Sequence, residues 1–353
     1  MNSSATQPSI GSDQSQHIQR VLITGATGFV GSRLVEYLTS HYPNLELRLA
    51  VRKHSAKQDE TSGVDSKFIS SKNIATVEVG NISPQTQWAD ALAGVDAVIH
   101  LAARVHVMQD DAHNPLDEYR NANTLATVHL AKVAAKAGVK RFIYLSSIKV
   151  NGEENSLDTA YSEKSTPAPI DPYGVSKWEA EQGLEQVCQQ SGMQFVVIRP
   201  PLIYGPGVKA NFRKLMGLVS KSLPLPLGAV HNQRSMLALD NLVSFIALSL
   251  MHPLAANQCF LLSDGEDLST TGLINMLAKE MQKNIWLIPI PPAVLRALAV
   301  LLGKTAATDR LLGSLKIDSS KARTLLHWQP PVTVQEGIAL TVQDFMKRSQ
   351  ASK

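Results

Sequence analysis

The 353 residues are 44% hydrophobic, 18% charged and 5% aromatic, a balance that buries a large core and excludes disorder throughout, a collagen-like chain or a low-complexity chain. With 34 basic and 30 acidic residues the net charge is +4, too mild to argue for a nucleic-acid partner. Two cysteines, Cys188 and Cys259, cannot build a disulfide framework and suit a reducing compartment, so a cytoplasmic location is expected.

Residues 1–17 are mostly Ser, Gln and Asn, lack the charged start and apolar run of a secretory signal, and read as a disordered tail. Apolar runs then alternate with amphipathic stretches. Strands are predicted over 20–24, 45–51, 74–79, 97–102, 141–146 and 195–199. Helices are predicted over 29–38, where Val30, Leu34 and Leu38 share a stripe, and over 88–92, 115–137 and 172–190. That order predicts an α/β fold, a Rossmann-type doubly wound parallel sheet, with 18–200 as a dinucleotide-binding domain. Beyond Pro200 the rhythm breaks into Pro-rich links and short elements. These predict a smaller mixed α/β carboxyl-terminal lobe over 201–353, packed beside the sheet instead of continuing it, with the chain crossing between lobes. The apolar run 297–302, between Arg296 and Gly303, falls far short of the ~20 residues that cross a bilayer, so no integral membrane segment is expected. It reads as a short packed or partly exposed helix, or as an interfacial one. Ligands of such sheets sit at the carboxyl ends of strands where the strand order switches, so the residues after each strand carry the interest.

Gly25-Ala26-Thr27-Gly28-Phe29-Val30-Gly31 stands between the first strand and the first helix, giving G-x-x-G-x-x-G in the setting a dinucleotide fingerprint requires. Gly25 permits the tight turn, Gly28 lets backbone N–H groups approach a pyrophosphate, and Gly31 lets helix and strand pack closely. Thr27, Phe29 and Val30 complete the cradle, and the helix N-terminus faces the anion. An acid after the second strand would hold a ribose diol, but Arg52 and Lys53 stand there. Their cations suit a ribose 2′-phosphate, which favours NADP(H) over NAD(H), unless they are merely solvated. Asn81, with Ile82 beside it, follows the third strand and is placed either to meet an adenine amino group or to serve as a turn asparagine. No metal site is expected.

Tyr173-Gly174-Val175-Ser176-Lys177 opens a helix, and the spacing of four puts phenol and ammonium on one face, a turn apart. A phenol with a pKa near ~10 is a poor base at neutral pH, and a neighbouring ammonium together with an oxidised nicotinamide stabilises the phenolate. Tyr173 would then exchange a proton with the hydroxyl on the hydride-transfer carbon. Tyr-x-x-x-Lys alone is a weak signal, since any helix carries it by chance. Ser146-Ser147, at the end of the strand that begins at Arg141, strengthens it. Ser147 would hydrogen-bond the reacting oxygen while Lys177 holds the nicotinamide ribose.

These residues resemble the extended short-chain dehydrogenase/reductase family of the NAD-dependent epimerase/dehydratase type, whose members act on nucleotide sugars, and the likeness covers nearly the whole chain. Beyond the cradle and the Tyr–Lys pair it includes His100-Leu101-Ala102-Ala103, residues 123–127 in place of the family's Asn-Val-x-Gly-Thr, Arg199-Pro200 with Tyr204-Gly205-Pro206, and Gln233-Arg234-Ser235 leading to Asp240. The resemblance implies that Leu101, Ala102, Ala103 and Pro200 line the dinucleotide and that Asn123 supports the site. It selects Ser147 over Ser146 as the catalytic hydroxyl, because the family's Ser-x-x-x-x-Gly spacing ends on Gly152. It further implies a nucleoside diphosphate in the carboxyl-terminal lobe, with UDP as the expected carrier. Asn211 would lie near the diphosphate, 225–227 would form a strand lining the base through Leu225, and Arg234 would sit on a phosphate. A helix-capping asparagine and a surface arginine are the plain alternatives for Asn211 and Arg234. His106 and Lys149 would face the substrate, unless His106 is a satisfied structural histidine beside the sheet and Lys149 is simply solvated. Family members often pair through two helices, so a homodimer through 115–137 and 172–190 is expected unless the chain covers those helices itself.

Dehydratases of the family carry an Asp-Glu pair just after the catalytic Ser or Thr; here Ile148 and Lys149 stand, which argues against elimination of water. What remains is hydride chemistry at sugar C4. The first reading is reduction of a UDP-4-keto-6-deoxy-N-acetylhexosamine by NADPH in surface polysaccharide synthesis, favoured by Arg52. Its rival is a UDP-glucose or UDP-N-acetylglucosamine 4-epimerase, which removes hydride and returns it to the opposite face. A non-catalytic dinucleotide-binding regulator is the reading from another class, and the joint presence of Ser147, Tyr173 and Lys177 counts against it.

Overall fold

The computed structural model describes residues 18–52, 72–105, 114–303 and 305–351. β1 (Arg20–Thr24) leads into α1 (Phe29–His41), which buries Leu34, Val35 and Leu38 along one stripe. β2 (Glu46–Val51), β3 (Ile74–Glu78), a short α2 (Ala89–Leu92) and β4 (Ala97–His100) follow. The expected long helix is α3 (Pro115–Tyr119) and α4 (Ala126–Lys136), joined by a wide π turn over Arg120–Leu125. β5 (Arg141–Leu145), α5 (Pro172–Ser191) and β6 (Gln194–Arg199) complete the first part of the chain.

Strand residues alternate between two cores because successive side chains point to opposite faces. Val21, Ile23, Ile99, Ile143 and Ile198 enter one cluster, and Leu22, Val98, Phe142, Tyr144 and Val197 enter the other. Burial on both faces is why these strands read as unbroken apolar runs. All pairings in the main sheet are parallel, in the order β3-β2-β1-β4-β5-β6-β9, where β9 is Gln258–Leu261. The order runs outward both ways from the β1–β4 pair, which sets Thr24 opposite His100. The crevice at the carboxyl ends of those two strands is the switch point of the sheet. β4 stops at His100 instead of continuing to residue 102, because Leu101 N–H bonds Thr24 O at 3.2 Å and Ala102 N–H bonds Thr24 Oγ1 at 3.3 Å. These bonds bend the chain across the end of β1.

Beyond Pro200, β7 (Leu202–Tyr204) pairs in parallel with β8 (Met236–Ala238). α6 (Ala210–Ser220), α8 (Thr270–Glu280) and, after α9 (Pro292–Leu301), α10 (Thr305–Leu312) and α11 (Ser320–Leu326), the final α12 (Val334–Ala351) belong to this part, where a third core is built on Phe212, Met216, Ile274, Leu277 and Ile338. One stretch departs from the expected lobe. α7 (Leu239–Met251) packs into the core of the main sheet and β9 adds the seventh strand beside β6, so residues 239–261 do continue the sheet. The cause is local: Leu242, Val243, Phe245, Ile246, Ala247 and Leu250 are all buried, and a helix that is apolar all round has to go inside. The expected strand over 225–227 is reduced to a single bridge between Leu225 and Leu287. Pro224 and Pro226 flank Leu225 and remove the neighbouring ladder donors.

Candidate active site

At the switch point the glycines have steric reasons to be glycine. Gly25 has φ +72°, and a Cβ there would lie 2.8 Å from Ala102 N; at Gly31 it would lie 2.1 Å from Gly25 O. Gly28 N–H closes the turn on Gly25 O at 2.9 Å, and no side chain caps α1. Thr27 and Gly28 are exposed, with Phe29 and Val30 half-buried behind them. The first N–H groups of α1 therefore point into the crevice with no side-chain partner, the arrangement that receives a pyrophosphate. Leu101, Ala102 and Ala103 form the opposite lip, half-buried. A nicotinamide dinucleotide fits these residues. Arg52 is exposed directly after β2, Asn81 is exposed after β3, and Ile82 packs on the core beside it. Lys53 and His106 lie outside the described residues, as does the segment 1–17.

Three side chains from two separate segments, Ser147 from one and Tyr173 and Lys177 from the other, meet at the end of β5. Asp171 caps α5, accepting Gly174 N–H at 2.7 Å, and Pro172 opens its first turn. This cap places Tyr173 at the mouth of the helix and Lys177 one turn deeper. Lys177 is buried: its ammonium donates to Leu145 O at 2.8 Å and lies 4.5 Å from the Tyr144 ring centre and 5.9 Å from that of Tyr173. Two residues beyond Leu145, Ser147 caps a short 3-10 turn, Ile148–Val150, its hydroxyl accepting Lys149 N–H at 3.2 Å. Pro200 O accepts Ile148 N–H at 3.0 Å, tying this loop to the end of β6.

The electrostatics differ from what spacing alone predicts. Burial pushes the Tyr173 phenol well above its ordinary pKa, Asp171 and Tyr119 add to the rise, and only the Ser147 side chain opposes it. Burial also pushes Lys177 down to about 7, with Glu181 acting against that fall. His100 is likewise pushed down to about 3 by burial and by Lys177, so it is neutral. Its ring bridges Thr24 Oγ1 at 2.6 Å and Thr127 Oγ1 at 3.0 Å, linking β1, β4 and α4 beneath the crevice.

Asn123 sits in the π turn and is 1% exposed. Its amide accepts Arg104 N–H at 2.8 Å and donates to Arg104 O at 3.1 Å and to Ser176 Oγ at 3.0 Å. The side chain thus pins the chain after β4 to the first turns of α5. Sequence reasoning missed the layer below. Glu181, one turn after Lys177, forms a buried pair with Arg199 at 2.5 Å and also accepts the Ser146 hydroxyl, while Arg199 donates to Asn151 Oδ1 at 3.0 Å. A carboxylate at a buried helical position requires a partner, and that is the signal by which Glu181 was readable. The same network occupies Ser146 and leaves Ser147 as the hydroxyl nearer the phenol.

The residues expected to meet substrate are less assembled. The Lys149 ammonium is engaged by Glu153 at 2.8 Å and by Asp171, so it braces the cap of α5 instead of standing free for a ligand. Asn211 is exposed in the first turn of α6 and does not cap it; Lys209 holds the cap position, with no side-chain bond. Arg234 is half-buried and donates to Gly313 O at 2.9 Å, and burial lowers its pKa. Beside that bond opens a cavity of about 490 Å³ lined by Glu154, Arg296 and Ser314 among others. Leu225 is buried in the core of the lobe.

The profile of the NAD dependent epimerase/dehydratase family matches residues 21–258. Over 328 residues the chain is 43% identical to a UDP-glucose 4-epimerase of Vibrio cholerae, covering 93% of this chain and 95% of that protein. It is 27% identical, over 92% of its length and 94% of the relative's, to an N-acetyl-alpha-D-glucosaminyl-diphospho-ditrans,octacis-undecaprenol 4-epimerase of Escherichia coli O157:H7. In fold it resembles the UDP-glucuronic acid 4-epimerase of Bacillus cereus solved with NAD, with a TM-score of 0.76 at 21% identity, covering 94% of this chain and 99% of that one. The glycine cradle at the switch point, the seven-stranded parallel sheet and the extent of these matches lead to one conclusion: the chain belongs to the NAD dependent epimerase/dehydratase family, as an enzyme of the extended short-chain dehydrogenase/reductase type that acts on nucleotide sugars.

Proposed function

We propose that the protein is a 4-epimerase of a UDP-hexose, with UDP-glucose or UDP-N-acetylglucosamine as substrate, and not the 4-keto reductase that Arg52 favours on sequence grounds. The observation that carries this reading is 43% identity along nearly the whole chain to a UDP-glucose 4-epimerase, combined with a Ser147–Tyr173–Lys177 site in which the two positions directly after Ser147 hold no carboxylic acid for elimination. Ile148 is buried and Lys149 is tied to Asp171 and Glu153, so a dehydratase's leaving hydroxyl would find no proton donor there.

A bound oxidised nicotinamide supplies a hydride acceptor and a fixed positive charge. Tyr173 takes the proton from the C4 hydroxyl, and Ser147 hydrogen-bonds the same oxygen so that it stays in place as the carbon flattens. Lys177 moves from Leu145 O toward the nicotinamide ribose and lowers the phenol pKa from its burial-raised value. Return of the hydride to the opposite face of C4 of the turned sugar, together with return of the proton by Tyr173 to the C4 oxygen, would complete inversion. Asn123 holds α5 and the strand-end loop in register, and Arg234 pairs with a phosphate of the carrier by exchanging its bond to Gly313 O. Arg52, exposed directly after β2, would stand beside the adenosine ribose of a bound dinucleotide and favour one that carries a 2′-phosphate.

The purified protein, with UDP-glucose and no added dinucleotide, is expected to produce the C4 epimer, and mass spectrometry of the denatured protein is expected to show retained dinucleotide. Stoichiometric consumption of NADPH with a UDP-4-keto sugar, without epimer formation, would replace this reading by the reductase.

A further inference from the structure

The cavity beside the Arg234–Gly313 bond has two walls that come from distant parts of the chain. Residues 154–157, in the loop that follows Ser147 and its short turn, form one, and residues 312–314 form the other. From Gly313 to Asp318 the second wall continues as an extended segment with partners on both sides. On one side Leu315 N–H bonds Gln233 O and Ser235 N–H bonds Leu315 O, both at 2.8 Å, so the segment lies against Arg234. On the other side Asn155 N–H bonds Ser314 O at 3.0 Å, while Tyr161 N–H to Lys316 O and Asp318 N–H to Tyr161 O are each 2.9 Å. The segment thus stitches the loop behind Ser147 to the residues around Arg234.

One side chain acts in this seam as a strand backbone would. The Asn155 amide exchanges two bonds with the backbone of Lys316, its Nδ2–H donating to Lys316 O and its Oδ1 accepting Lys316 N–H, both at 2.9 Å. An amide engaged through donor and acceptor together fixes position and angle at once. On the far side Arg234 donates to Gly313 O at 2.9 Å, and the same carbonyl accepts Asn232 Nδ2–H at 2.8 Å. A carbonyl oxygen has two lone pairs, so when Arg234 turns to a phosphate Gly313 O keeps a donor, and the exchange strands no buried acceptor. Burial disfavours the Arg234 charge, and Glu154 with Glu153 offsets only part of that; an anion held against the guanidinium would offset more. The exchange needs Gly313 to stay where Arg234 can reach it, and Asn155 is the side chain that ties this segment to the catalytic loop.

We propose that Asn155 is a positioning residue for the carrier diphosphate: its clasp on Lys316 holds residues 313–318, and with them Arg234, at the spacing from the Ser147 loop that a nucleoside diphosphate spans. The proposal rests on the UDP-sugar reading above, in which Arg234 pairs with a phosphate of the carrier. Calorimetric binding of UDP and of uridine to the purified full chain tests it. Asn155→Ala removes the clasp and leaves the backbone bonds of Asn155, Tyr161 and Asp318 in place. It should weaken UDP about ten-fold, the worth of one well-placed bond to a charged group, and leave uridine, which has no phosphate, within about two-fold. In an Arg234→Met background the same substitution should change UDP affinity by less than about two-fold, because Asn155 acts through that arginine. A role in stability alone would weaken both ligands and would persist without Arg234. Unchanged UDP affinity in Asn155→Ala, equal losses for UDP and uridine, an undiminished effect in Arg234→Met, or no UDP binding by the wild type would each overturn the proposal. Should the alanine variant melt below the wild type, Asn155→Ser, whose hydroxyl is too short to span both Lys316 groups, carries the same expectations. UDP binding needs no turnover, so a wild type that binds UDP through this clasp yet forms no C4 epimer would remove the epimerase reading and leave the role of Asn155 standing.

Discussion

At the scale of single residues, the account rests on a phenol and an amine whose proton affinities are both displaced by burial. Tyr173→Phe removes only the hydroxyl. It should lower turnover by about a hundred-fold to ten-thousand-fold, the usual worth of a positioned acid–base group, while dinucleotide retention stays at the wild-type level; near-normal turnover would remove Tyr173 from the mechanism. Lys177 leads to a stability prediction with a definite sign. Its folded pKa of about 7 lies below the ordinary 10.5, so between those values the unfolded chain holds a proton that the folded chain lacks, and unfolding free energy rises with pH across that window. Without ligand, the stability of the wild type relative to Lys177→Met should increase from about pH 7 to 10.5, read from urea midpoints. A pH-independent difference would mean that the amine is not desolvated. The sequence could place this pair on one face of a helix, but it could not show which of its neighbours dominates, because desolvation depends on Tyr119, Tyr144 and the end of β5 closing over it.

At the scale of elements, α5 holds the site together through contacts on three sides. Its cap at Asp171 sets Tyr173, Asn123 of the π turn clamps Ser176, and Glu181 anchors the helix to Arg199 on β6. Glu181→Gln leaves a buried guanidinium without its counter-charge and should cost about 3–5 kcal/mol. Replacing both partners by apolar residues of similar size should recover most of that loss in thermal or urea melts; equal losses in the single and double variants would show that the pair stabilises in its own right. Part of this layer was legible beforehand. The strand-to-helix setting of the cradle and the Tyr–Lys spacing can be read from residue order, because each depends on a local period or turn, whereas the choice of Ser147 over Ser146 rests on the family resemblance. The π turn at Arg120–Leu125 leaves no such mark: its extra residue per turn is fixed by Asn123 reaching Arg104 and Ser176, which are distant in sequence.

For the whole molecule, strand order and the crevice between β1 and β4 follow from alternating apolar and amphipathic stretches, and the crevice decides where chemistry takes place. The return of residues 239–261 to the sheet was hidden behind the Pro-rich stretch after Pro200, although the unbroken apolar surface of α7 signalled it. Substrate contacts were the least legible, since Arg234 and Lys149 are held by Gly313 O and by Asp171 with Glu153, partners that a linear reading does not reveal. The central claim is that one crevice removes hydride from sugar C4 and returns the same hydride to the other face. UDP-glucose carrying deuterium at C4 tests it most directly: incubated in ordinary water with the purified protein, both epimers should keep the deuterium at C4, with no net nicotinamide absorbance. Deuterium lost to solvent or accumulated on released dinucleotide would contradict the account.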